Sequence, residues 1–287
     1  MKKIPIRAIK DAENSFNPLR SFSIRELDEV LAGRSMEQDL HRHSFFFILA
    51  VRTGTGSHEI DFTSYKVKDR TVFLVRPGQV HQLSLTAGST GYVLQFSADL
   101  YSTADPVLHR LVRSVSHTNR CQLSEKAFEK IAAILGAVRE EYRERAAGYE
   151  DIIRANLSIF FTELLRHASS ANRPAPSATH YAQQRLDELF ELLEAHIATR
   201  KRVAEYAELL HLSAYQLNAV TKATLGKTCS ELINEQIVLE AKRHLLSTSE
   251  RIKEIAVLLG YEDLSYFIRF FRKHTGYTPE AFRQKFR

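Results

Sequence analysis

Residues 252–278, IKEIAVLLGYEDLSYFIRFFRKHTGYT, and residues 203–228, VAEYAELLHLSAYQLNAVTKATLGKT, are two versions of one pattern. Each carries Ala-x-Leu-Leu, at Ala207 to Leu210 and at Ala256 to Leu259. Each then passes through a short turn into a second amphipathic stretch and stops at Gly-x-Thr, at Gly226 to Thr228 and Gly276 to Thr278. Two helices that cross steeply with close backbones need a small side chain at the crossing, which Ala207 and Ala256 supply. Gly260 is suited to a left-handed turn after the first helix of its copy, where the other copy has His211. Ser213 and Asp263 suit the N-caps of the second helices. Leu217 and Phe267 are placed to plug the core beneath them. Thr228 with Glu231 forms a capping box for the next helix. The repeat therefore predicts two helix-turn-helix units.

Between the units the sequence predicts one long helix, Cys229 to Leu246. At about 1.5 Å per residue it spans somewhat under 30 Å. A rod of that size holds two recognition helices about one DNA turn apart, roughly 34 Å. The expected partner is double-stranded DNA. On the first recognition helix Tyr215, Asn218 and Lys222 share a face. Asn218 suits an adenine edge and Lys222 a phosphate, while Tyr215 either joins them or packs. Charge does not locate this function, since residues 181–287 hold 16 Lys and Arg against 14 Asp and Glu. Only the end is basic, through Arg269, Arg272, Lys273, Arg283, Lys285 and Arg287 against Glu280.

From Leu186 to Phe286 the chain resembles the AraC/XylS family of transcription activators. The stretch from Ile252 through TPEAFR matches the family signature almost throughout, whereas Ala219 and Thr221 stand where the family usually has arginine and phenylalanine. By that resemblance Leu264, Ser265, Ile268 and Arg269 face DNA, next to Arg272 and Lys273. Arg269 is then a two-bonded donor to guanine O6 and N7, with a phosphate contact as the alternative. The family likeness also makes RNA polymerase a candidate partner.

The first half changes period. SFFFILAV (44–51), HEIDF (58–62), TVFLVR (71–76) and TGYVLQF (90–96) read as short strands between the turn signals at 53–57 and 77–79, which predicts a sandwich or small barrel. Helices follow, one capped by Ser124 with Phe128, Ile131, Leu135, Val138 and Tyr142 on a face, the other from about Glu150. Phe160, Phe161, Leu164 and Leu165 exceed what one packing surface needs, so residues 124–167 are expected to form a homodimer; covering the sheet is the alternative. ASSANRPAPSAT (168–179) reads as a linker. The expected fold class is α+β multidomain: a cupin-like β-barrel with two following helices over 1–168, a linker over 169–180, and an all-α DNA-binding domain over 181–287.

His41-x-His43 with Pro77-Gly78-Gln79-Val80-His81 resembles the two motifs of a cupin barrel. In metal cupins three histidines and a glutamate converge; here Phe45, Phe46 and Phe47 occupy the region of the glutamate, so no metal and no cofactor are expected. His41, His43 and His81, with Arg76, are instead assigned to a small-molecule effector pocket. Hydrogen bonding within the barrel wall is the plainer reading.

At 287 residues and 44% hydrophobic composition, the chain is long enough for two real cores. No apolar run reaches the roughly 18–20 residues of a membrane span, and the start lacks an apolar signal core. The two cysteines, Cys121 and Cys229, provide neither a disulfide framework nor metal spacing. A cytoplasmic setting is expected. No nucleophile, base or phosphate-loop arrangement points to catalysis. The alternative to a regulator is a cupin metalloenzyme with an accessory helical domain.

Overall fold

The computed structural model describes residues 6–7, 22–97, 100, 108, 111–112, 114–115, 118–171 and 180–286. The chain divides into two compact units, with the break between residues 172 and 173. Most of the segment read as a linker lies outside the described residues.

The N-terminal unit is built on two five-stranded sheets. One has the order β1 (Ile6–Arg7), β3 (Met36–His43), β8 (Val80–Leu85), β5 (Gly56–Ile60), β6 (Thr63–Val67). The other runs β10 (Arg120–Gln122), β7 (Thr71–Val75), β4 (Phe46–Thr53), β9 (Thr90–Phe96), β2 (Phe22–Glu26). A short helix, α1 (Leu27–Leu31), follows β2.

The unbroken apolar run of β4 has a simple cause. Side chains alternate along a strand, so Phe47, Leu49 and Val51 enter one core with Phe73, Val75, Leu83 and Leu85. Phe46, Ile48 and Ala50 enter a second core, beneath α2 (Glu125–Glu144) and α3 (Tyr149–Ala171). A strand covered on both faces loses the polar alternation of a half-exposed one. The helices therefore cover a sheet. Phe160, Phe161 and Leu164 are buried in that core and Leu165 packs against it. The apolar surplus assigned to dimerisation is used inside the chain.

Ser124 caps α2 as expected, accepting from the Ala127 N–H. Residues 53–57, read as a turn, already enter β5 at Gly56, where a Cβ would collide with the Ser84 carbonyl of β8. Positive φ at Asp61 and Phe62 then turns β5 into β6.

The C-terminal unit is helical. It comprises α4 (His180–His196), α5 (Val203–Leu209), α6 (Ala214–Leu225), α7 (Cys229–Ser247), α8 (Ile252–Leu258), α9 (Leu264–Thr275) and α10 (Pro279–Phe286). The long α7 packs against both helix pairs, α5–α6 and α8–α9. Leu186, Leu189, Leu193 and Ile197 are buried along one side of α4 and its end. Among the described residues, no helix is long and apolar enough to cross a membrane.

Candidate functional site

The two recognition helices, α6 and α9, are set by their caps. The Ser213 side chain accepts from the Gln216 N–H, and Gln216 Oε1 accepts from the Ser213 N–H at 2.8 Å. Asp263 accepts from the Ser265 and Tyr266 N–H groups. Gly226 and Gly276 close the helices in the left-handed conformation. Leu217 and Phe267 are fully buried beneath them, and Ala207 and Ala256 on the preceding helices are buried as well. The turn residues His211 and Gly260 both have positive φ, 54° and 70°.

This frame points the remaining positions outward. On α9, Ser265, Arg269, Arg272 and Lys273 are exposed, and Leu264 and Ile268 are half-buried at their flank. On α6, Tyr215 is 84% exposed and Lys222 is exposed. Asn218 has a different place. Its Nδ2 donates to the Ala214 carbonyl and its Oδ1 accepts from the Cys229 N–H, both at 3.0 Å, which ties α6 to the first turn of α7. Side-chain periodicity could not show that link, because it depends on where the next helix begins.

Sequence reading missed Tyr266, 55% exposed on α9. With Arg269, Phe270, Lys273, His274 and Asn234 of α7, it lines an open groove of about 310 Å³. Conversely, some of the terminal basic residues serve the fold. Arg283 is buried and donates to the Leu245 and Glu250 carbonyls, and the Lys285 ammonium lies over the Tyr277 ring.

In the N-terminal unit, strand register assembles histidines. His41 and His43 are two residues apart on β3 and so face the same way, and His41 pairs directly with His81 on β8. His58, on the next strand β5, completes a group of four that sequence reading left at three. All are buried, at 0–4% exposure. His41 Nδ1 lies 2.7 Å from the Asp39 carbonyl oxygen, His41 Nε2 3.1 Å from His43 Nε2, and His58 Nε2 2.9 Å from His81 Nδ1. Phe47 stacks on His43 with centroids 5.5 Å apart, and Phe73 meets His58 edge-on at 4.9 Å. Burial pushes the His58 imidazole down to about 3, and the charge of His41 adds to the shift. Arg76, half-buried, stands in the 76–79 turn, where its N–H donates to Gln79 Oε1; the Gly78 N–H donates to the His43 carbonyl and fixes that turn on β3.

Comparison with known proteins agrees with this division. Residues 29–151 match the AraC-like ligand binding domain, and residues 206–285 match a helix-turn-helix domain. The HTH-type transcriptional activator RhaR of Pectobacterium carotovorum is 25% identical over 251 residues, 86% of each chain. The uncharacterized HTH-type transcriptional regulator YfiF of Bacillus subtilis is 23% identical over 252 residues, 86% of this chain and 79% of its own. Among solved structures, an AraC-type transcriptional regulator from Chromobacterium violaceum shares 28% identity over 37% of this chain and 94% of its own, with a TM-score of 0.34. A ligand-binding β-rich domain joined in one chain to two helix-turn-helix units is an effector-responsive, DNA-binding transcriptional regulator. The chain belongs to the AraC family of such regulators.

Proposed function

We propose that the outer faces of α6 and α9 read specific duplex sites, and that a small-molecule effector in the N-terminal unit shifts the population of DNA-competent states. The face of α9 carries the reading. Arg269, Arg272 and Lys273 are exposed there, and no hydrogen bond or ion pair engages their side chains among the described residues. Arg269 presents a fork suited to guanine O6 and N7, while Leu264 and Ile268 offer apolar contact and Ser265 a short hydroxyl. Arg272 and Lys273 supply phosphate contacts. On α6, Tyr215 and Lys222 reach the duplex, and Asn218 acts by positioning them.

RhaR is named an activator; by that likeness the protein activates transcription and meets RNA polymerase, in the cytoplasm. The four histidine rings have the burial of a closed site rather than an open catalytic one, so no catalytic role is assigned.

The test is selection of duplex sites from a random library by the full chain, followed by gel-shift titration. Arg269→Ala should lose about 1–3 kcal/mol of specific affinity and relax preference at one base pair. Lys273→Ala should weaken all sequences alike and lower the salt slope by about one. Recovery of no consensus by the wild-type chain would sink the reading.

A further inference from the structure

We propose that His41, His43 and His81 bind a divalent late first-row transition-metal ion, with His58 holding His81 from behind. The inference rests on the reading of the N-terminal unit as a ligand-binding domain, and makes the ion its ligand.

One ring nitrogen from each of the three histidines lies within 4.8 Å of the others. The hydrogen bond behind His41 selects the tautomer a metal requires, and the one behind His81 is compatible with it. A carbonyl only accepts, so His41 Nδ1, against the Asp39 oxygen, carries the proton. Its Nε2 then keeps a lone pair, aimed at His43 Nε2 3.1 Å away. His81 takes the same arrangement when its Nδ1–H donates to His58 Nε2, 2.9 Å away, which leaves its Nε2 lone pair for the metal. That assignment puts the His58 proton on Nδ1, a buried atom with no hydrogen-bond partner. Such a cost in an apolar core calls for compensation, which an ion on His81 would supply. His41 and His81 thus have a carbonyl and a second side chain behind them, which is how metal sites fix ring orientation and basicity.

The spacing also fits. Imidazole nitrogens lie about 2.0–2.1 Å from zinc, so neighbouring ligands of a tetrahedral site are roughly 3.4 Å apart. The His41–His43 pair is near that separation already, and a small closing movement of His81 completes the set. Three neutral imidazoles without a carboxylate suit zinc, cobalt, nickel or copper and not magnesium or calcium. Phe45 and Phe47 pack against His43, centroids 4.3 and 5.5 Å away, and wall the group from solvent.

The test uses the full chain, purified without a histidine tag and stripped with chelator. Cobalt(II) chloride is titrated in while visible absorption is recorded, zinc(II) chloride then competes, and bound metal is counted by mass spectrometry. The site predicts about one ion per chain, ligand-field bands that zinc removes, and a higher melting temperature with either ion. His41→Ala and His81→Ala should abolish the bands. His58→Phe keeps a ring in place but frees His81, and should weaken cobalt binding about 10–100-fold. If the alanine variants fail to fold by circular dichroism, the wild-type titration and His58→Phe still decide. No saturable uptake by the wild type, or uptake undiminished in the three variants, overturns the site. Gel shifts on the same samples separate the two readings. DNA binding without metal uptake removes only the metal site, and metal uptake without DNA binding removes only the DNA reading. Metal uptake that leaves operator affinity unchanged removes the ion's role as the regulatory ligand.

Discussion

Gly260 and His211 hold equivalent turns in the two helix-turn-helix units, yet they should respond to substitution with opposite signs. Both are left-handed. At Gly260 a Cβ would also collide with the Ala198 carbonyl oxygen. Lys201 clamps this approach, its Nζ donating to the Gly260 and Ala198 carbonyls at 3.0 and 3.3 Å and lying 4.9 Å from the centre of the Tyr261 ring. Gly260→Ala therefore adds steric conflict to a backbone strain of roughly 1–3 kcal/mol, and should lower the urea midpoint of the C-terminal unit clearly. His211 is exposed and already tolerates the conformation at some cost. His211→Gly relieves that strain and loses part of the gain to unfolded-chain entropy, so its unfolding free energy should stay or rise by up to about 1 kcal/mol. A drop for His211→Gly equal to that for Gly260→Ala would refute the distinction. The two thiols offer a separate check. Burial pushes Cys229 up to about 12 and Cys121 up to about 11, the latter despite the nearby Arg120 charge. The reactive thiolate is then scarce at neutral pH. An aromatic disulfide reagent should label neither in the folded chain and both in denaturant.

At the scale of elements, the helix-turn-helix pairs were legible in the sequence because their signals are local. Ser213, Asp263, Thr228 and the closing glycines each act within four residues of where they stand, and each takes its expected place. The sheets were less legible. The edges and pairings of β3, β5 and β8 depend on distant partners, so His58 was read as an ordinary strand residue although register sets it beside His81. The same limit misled the reading of Phe160, Phe161 and Leu164, because the second face of β4 that receives them cannot be seen from α3 alone. Asn218 is the sharpest case. Its helical face suggested base reading, and its hydrogen bonds describe a strut between α6 and α7. Asn218→Ala should cost about 1–2 kcal/mol of stability, as loss of a helix cap does. The base preferences of the selected site should be unchanged. A relaxed preference at one position, with stability intact, would return Asn218 to the reading face.

At the scale of the whole molecule, two recognition helices on one rod would confine a single chain to neighbouring grooves. The 19 residues of α7 make a rod about 28 Å long. A second copy multiplies the contacts by raising effective concentration. With the inner side of α3 consumed by the sheet, any pairing through this helix would have to use what remains outside. Ile152 and Ile159, 42% and 49% exposed, are two turns apart on that outer side. A homodimer contact through this helix would therefore centre on these two residues. Pairing of this kind predicts a dimeric mass by light scattering at micromolar concentration. Ile152→Asp with Ile159→Asp should reduce it to the monomer while the circular dichroism spectrum stays that of the wild type, because neither side chain belongs to the core. Affinity for a duplex carrying two selected sites should fall in that variant, while affinity for one site stays near the wild-type value. A wild-type chain that is monomeric at those concentrations, or a double variant that remains dimeric, would rule out this face as the contact.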